Sequence, residues 1–187
     1  GVILFGLEFG SFRWSCIPYT EFLRDAGYDI FSIEMRGQGN SPAQEGYEPL
    51  QWVTEFELID YRAVLDYLKQ RPDKDPRGIG LFGFSKGASA ALTVAADDAF
   101  VRCFVVDGAF SHYTTMVPYM AQWVSIYTTF KWSGKLIPDW YLRIAAGMGL
   151  RRIEELRHCK YVPLENHMAK LAPRPLFMIH GGGDTYI

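Results

Sequence analysis

One short stretch of the chain carries a recognisable chemical pattern. Gly83-Phe84-Ser85-Lys86-Gly87 is a G-x-S-x-G sequence. It follows the apolar run Ile79-Gly80-Leu81-Phe82 and opens the small-residue run Ala88-Ser89-Ala90-Ala91-Leu92. A serine between a strand and a helix must sit on a sharp turn. The flanking glycines remove Cβ atoms where the two elements approach closely. Such a turn lifts the hydroxyl above the sheet edge. It also sets the helix N-terminus behind it, where free N–H groups and the positive dipole end can receive a developing oxyanion. Ser85 is therefore the candidate nucleophile, and the alternative is a glycine-rich turn with an idle serine.

The elements that must position this serine can be read along the chain. Residues 2–6 are a β-branched and aromatic strand, and 7–15 form a loop. A helix follows, with Pro18 in its first turn and Gly27 just past its end. Residues 28–35 read as a strand and 36–42 as a turn-rich loop. Thr54 and Glu57 have capping-box spacing, and Phe56, Ile59, Ala63 and Tyr67 repeat at helical spacing to about Gln70. Further strands are predicted over 77–83, 101–106 and 175–179. Strands alternating with helices predict an α/β fold: a mostly parallel sheet with helices on both faces.

In this order the chain resembles the α/β-hydrolase superfamily, in particular serine hydrolases of the dienelactone-hydrolase-like and lysophospholipase-like kind. Residues 2–12 are similar to that fold's third strand and oxyanion loop. Arg36-Gly37-Gln38-Gly39-Asn40-Ser41 resembles its R-G-x-G-x-S turn, and 77–92 resembles strand five, the elbow and the following helix. The resemblance implies a fold truncated at both ends, with its core over 1–110, a helical cap insertion over 111–172 and the core continued over 173–187. It implies Ser85 as nucleophile and the backbone N–H groups of Lys86 and Phe9 as oxyanion donors. The usual His-Gly pair ahead of that second donor is replaced by Leu7-Glu8. The Lys86 side chain is expected to be solvated.

The same resemblance places the acid after strand seven, at Asp184 in Gly181-Gly182-Gly183-Asp184, with Asp107 at the end of strand six as the alternative. The base should follow the acid, yet His112, His158, His167 and His180 all precede Asp184. The catalytic histidine is therefore expected outside these 187 residues, and this piece alone is expected to be inactive. The insertion holds Trp123, Trp132 and Trp140, three of the five tryptophans. Most belong to the packing of cap helices, and a minority suit an apolar acyl or aryl ester substrate. Residues 151–160 alternate in charge and read as a solvated helix.

Composition narrows the remaining classes. The 187 residues are 49% hydrophobic and 21% charged with a net charge of −2, a balance that fits one globular domain rather than a disordered or nucleic-acid-binding chain. No run is long enough to span a membrane, and the expected location is cytoplasmic. Cys16, Cys103 and Cys159 lack metal or disulfide spacing and read as buried free thiols. No metal or organic cofactor is implied. Gly78, Gly80 and Gly83 are not spaced as a dinucleotide-binding turn opening a helix. The alternatives left open are a non-catalytic hydrolase-like binding protein, or an acyltransferase, thioesterase or peptidase on the same fold.

Overall fold

The computed structural model describes residues 1–129, 132 and 136–182. Among these, five strands, β1 (Val2–Gly6), β2 (Asp29–Ser32), β3 (Ile79–Phe84), β4 (Val101–Asp107) and β5 (Leu176–Ile179), form one sheet in the order β2-β1-β3-β4-β5. Every neighbouring pair is parallel. The strand order doubles back at β1–β3, so loops from both directions of winding meet above the carboxyl ends of these central strands. That is where a doubly wound sheet positions a site.

Helices cover both faces, as the alternation of elements predicts. On one face, α3 (Ser85–Ala96) packs on β1, β3 and β4, and α2 (Glu55–Gln70) packs on α3. Leu4, Leu81, Phe104 and Val106 from the sheet join Leu58, Tyr61, Leu65 and Leu68 from α2 in the main core. On the other face, α1 (Ile17–Asp25) lies beside a smaller cluster of Phe5, Leu7 and Cys16 with Phe82 and Phe84. The α3 sequence is apolar or small all round, and its residues from Lys86 to Ala96 are all buried. A helix without a polar face can exist only in such a sandwich.

Several boundaries depart from expectation for local reasons. β2 ends at Ser32, because the Glu34 carboxylate two residues later accepts the Arg13 and Asn40 backbone N–H groups at 2.9 and 3.0 Å, a turn rather than a ladder. α2 and the capping box between Thr54 and Glu57 form as expected, with Leu58, Tyr61, Leu65 and Leu68 buried and Ile59 and Tyr67 facing solvent. Gly78 precedes β3 rather than lying within it. Its φ of +96° and a virtual Cβ only 2.1 Å from the Phe100 carbonyl oxygen demand glycine there. Cys16 and Cys159 are buried, but Cys103 is exposed. An irregularity in the β3–β4 register at Ile79/Gly80 sets Cys103 opposite Gly80, on the sheet face away from α3.

The excursion between β4 and β5 contains α4 (His112–Tyr127) and α5 (Asp139–Arg157), which pack against each other. Its two ends are fastened to the core. At the entry, the Glu165 carboxylate accepts the His112 and Tyr113 N–H groups at 3.3 and 3.0 Å, capping α4 where Ser111 makes no side-chain cap. At the exit, Glu55 N–H donates to the Lys160 carbonyl and Val162 N–H to the Val53 carbonyl, each at 3.0 Å. Leu164 and Leu171 then enter the main core. Arg174 finally donates to the carbonyls of Ala95, Asp98 and Val101 at 2.8 to 2.9 Å and lies over the Phe104 ring.

Candidate active site

Ser85 is the first residue of α3 and directly follows β3. Its φ is +49°, one of two positive values among the described non-glycine residues. A left-handed serine costs of order 1 kcal/mol, and the surrounding structure must hold it there. Glycines make the contacts possible. A Cβ on Gly87 would lie 2.1 Å from the Leu7 carbonyl oxygen. One on Gly6 would lie 2.8 Å from the Gly87 carbonyl carbon, and one on Gly83 3.1 Å from the Ala88 Cα. The N-terminal turn of α3 therefore rests directly on the backbone where β1 passes into its loop.

This contact sets the first turn of α3, which includes Lys86, against the start of the loop that carries Phe9. No side chain caps the α3 N-terminus, so the N–H groups of its first residues, Lys86 among them, lack intrahelical acceptors. Across the contact, Leu7 is buried, while Phe9 is 44% exposed in a loop that turns through Gly10 at φ +80°. The Ser11 hydroxyl donates to the Glu8 carboxylate at 3.2 Å and steadies that loop.

The Lys86 side chain is not solvated. It is fully buried, because α3 is enclosed on every side. Its ammonium donates to Glu57 Oε1 at 2.9 Å and to the Leu50 carbonyl at 2.5 Å, and stands 5.4 Å from the centre of the Phe9 ring. Glu57, equally buried, also accepts the Tyr47 hydroxyl at 2.6 Å, the Thr54 N–H at 2.7 Å and the Thr54 hydroxyl at 2.8 Å. Burial lowers the pKa of Lys86, and the neighbouring Glu57 carboxylate opposes that shift. Sequence reasoning missed this network. The available signal was the absence of any polar stripe in the helix that Lys86 opens.

The remaining candidates are placed as follows. Asp107, partly buried, ends β4 in register with Phe84 on one side and Ile179 on the other. It thus lies one strand over from the residue preceding Ser85. Asp184 lies outside the described residues. His112 is buried between the Trp52 and Tyr161 rings, and burial lowers its pKa. His158 ends α5, with φ +50°. His167 lies 3.8 Å from Asp97 at the far end of α3, and His180 is exposed just after β5. Among the described residues, no histidine is hydrogen-bonded to the Ser85 hydroxyl. None of their His, Cys, Asp and Glu residues form a group that could hold a metal ion, and no helix among them is long and apolar enough to cross a membrane.

A parallel sheet in this order, with a left-handed serine between its central strand and the helix behind it, defines the α/β-hydrolase fold. Residues 14–181 match the family model described as serine aminopeptidase, S33, and the chain belongs to that hydrolase family. It is similar to the uncharacterised protein YfhR of Escherichia coli K12, 26% identical over 91% of this chain and 48% of the relative. Its counterpart in Salmonella typhi is 24% identical over 91% and 49%. The chain thus spans about half the length of the curated relatives it matches. Among solved structures, the Pyrococcus furiosus esterase Pf2001 is similar over 100% of this chain and 62% of its own, with a TM-score of 0.64 and 22% identity. Est1E of Butyrivibrio proteoclasticus, solved with ferulic acid bound, matches 99% of this chain and 80% of its own at a TM-score of 0.55 and 18% identity.

Proposed function

We propose that this chain carries the nucleophile and oxyanion pocket of a serine hydrolase that cleaves a carboxylic ester or related acyl bond. The observation that carries the reading is the Ser85 turn. It holds a serine in left-handed strain at an uncapped helix N-terminus, pressed onto the β1 loop through glycine-only contacts. Strain of this kind, stored where nothing in the packing needs a serine, points to a functional position.

In the proposed reaction the Ser85 hydroxyl adds to the acyl carbon as its proton passes to an imidazole. The N–H groups of Lys86 and Phe9 hold the oxyanion. The alcohol leaves with the proton, and water then releases the acid from Ser85 by the same route in reverse. Asp184 orients the imidazole, with Asp107 as the alternative acid. The resemblance places the imidazole after the acid in chain order. The proposed steps call on no metal or organic cofactor. The exposed aromatic side chains of α4 and α5, Tyr119, Trp123, Trp140 and Tyr141, favour an apolar acyl or aryl group, and residues 111–172 act as the cap over the site.

The family description names a peptidase and the similar structures include esterases. An ester is the first substrate class to try, and thioesters and amides belong to the same test. The assay is fluorophosphonate labelling of the full-length protein beside Ser85→Ala, followed by hydrolysis of p-nitrophenyl esters. Labelling of the wild type and not of the variant is expected. Equal labelling of both would refute Ser85 as nucleophile. A folded wild type that neither labels nor hydrolyses any acyl substrate would favour the non-catalytic binding reading, which the Leu7-Glu8 departure already motivates.

A further inference from the structure

We infer that the buried Lys86–Glu57 pair is a clamp that holds the two sides of the oxyanion pocket in register, with Lys86 acting through its side chain as a positioning residue. The inference rests on the reading of Ser85 as nucleophile. On that reading Lys86 contributes twice, through its backbone N–H in the first turn of α3 and through a fully buried side chain.

The ammonium's three neighbours belong to three different segments. Glu57 Oε1 is on α2, the Leu50 carbonyl is on the segment leading to α2, and the Phe9 ring is on the loop after β1. An ammonium over an aromatic face is attractive, more so away from water. The ring over which it stands belongs to the residue whose N–H is the second oxyanion donor. Glu57 is in turn held by three hydrogen bonds, one from Tyr47 and two from Thr54, which fix both oxygens of the anchor end of the clamp.

Stability alone is a poor reason for this arrangement. Desolvating two charges costs several kcal/mol, and well-packed neutral replacements of buried pairs are often neutral or stabilising. A methionine would fill the volume of Lys86. What it would not do is tie the Phe9 loop to α2. Misplacing a group at a reacting centre by about 1 Å can cost about a hundredfold in rate, so a small drift of that loop is expressed in turnover.

The test uses the full-length protein. Lys86→Met alone strands a buried carboxylate and can unfold the chain, so the informative variant is Lys86→Met/Glu57→Gln. It removes both charges and leaves an amide for Tyr47 and Thr54. A urea midpoint close to wild type is expected for this double variant. Its fluorophosphonate labelling and kcat should fall about tenfold or more, with KM changed less than threefold. Phe9→Leu, at an exposed side chain that leaves the backbone donor in place, is expected to slow labelling at least threefold. Labelling within twofold of wild type in a folded double variant overturns the clamp. If the double variant does not fold, the same outcome in Phe9→Leu overturns it. If the wild type does not label, or Ser85→Ala labels equally, it is the nucleophile reading that fails.

Discussion

Gly87→Ala is the most demanding test of how the Ser85 turn is held. The added methyl would lie 2.1 Å from the Leu7 carbonyl oxygen, 2.5 Å from the Gly6 carbonyl carbon and 2.6 Å from the Leu7 nitrogen. All three are backbone atoms where β1 ends at Gly6 and its loop begins at Leu7, so no side chain can rotate aside. Reaching even a 3.0 Å separation from that oxygen requires α3 and β1 to part by at least about 0.9 Å in an interior that is close-packed. Overpacking of this kind costs roughly 1–3 kcal/mol, occasionally more. Because backbone rather than a side chain must move, we expect at least about 3 kcal/mol. The same displacement moves the α3 N-terminus relative to the Phe9 loop, and reactivity should fall about a hundredfold. Urea denaturation followed by circular dichroism reads the first quantity, and fluorophosphonate labelling at low urea reads the second. Gly149→Ala is the matched control, since nothing lies within 4 Å of its virtual Cβ and alanine is favoured by about 1 kcal/mol inside a helix. A Gly87→Ala protein as stable and as reactive as wild type would refute the close-contact argument for the whole elbow.

Other changes have definite outcomes. Ser85→Gly should abolish labelling yet raise stability by about 0.5–1 kcal/mol, because glycine relieves the left-handed backbone; a destabilised variant would argue against stored strain. Thr54→Ala should cost about 1–2 kcal/mol in urea denaturation, since it deletes the α2 cap and one partner of buried Glu57. Burial pushes the Cys159 thiol up to about 11 and the Tyr161 phenol up to about 12. Both raised values favour the protonated folded state, so stability is full below about pH 9 and is lost as pH rises through 9 to 12, on the order of 2 kcal/mol for Cys159. Cys159→Ala should flatten the lower part of that slope, and an unchanged slope contradicts the assignment. With a thiol reagent at pH 8, exposed Cys103 should react well before buried Cys16 and Cys159; simultaneous reaction would show that those two are not sheltered.

How much of this was legible in the sequence depended on whether the deciding interaction was local. The strands were readable because each is a short apolar run bounded by turn formers, and the Thr54–Glu57 cap because its partners are three residues apart. The Ser85 turn was readable for the same reason, its glycines being two residues away on either side. The length of β2 was not, since it is set by Glu34 reaching Arg13 and Asn40. The fate of Lys86 was not either. Its partners are 29 and 36 residues distant, and its charge argued for solvent until the enclosure of α3 was known. The buried side of α2 was not legible, because the helix carries apolar residues on more than one face, and its contact with α3 selects Leu58, Tyr61, Leu65 and Leu68. Nothing local announces that Cys103 lies on the face away from α3.

The fastening of the excursion at both roots has a further consequence. Glu165 holds its entry, residues 160–162 and Arg174 hold its exit, and the roots stay together whatever the chain does in between. For a loop whose ends are already fixed, doubling its length costs only about 0.6 kcal/mol of closure entropy. The chain between the helices can therefore be lengthened at little cost, while Tyr113, Met116 and Leu150 stay packed against Tyr47, Trp52 and Phe56. On the proposed reading, the Ser85 turn and the 111–172 excursion form separately variable parts, so substrate preference can change in one while the other keeps its chemistry.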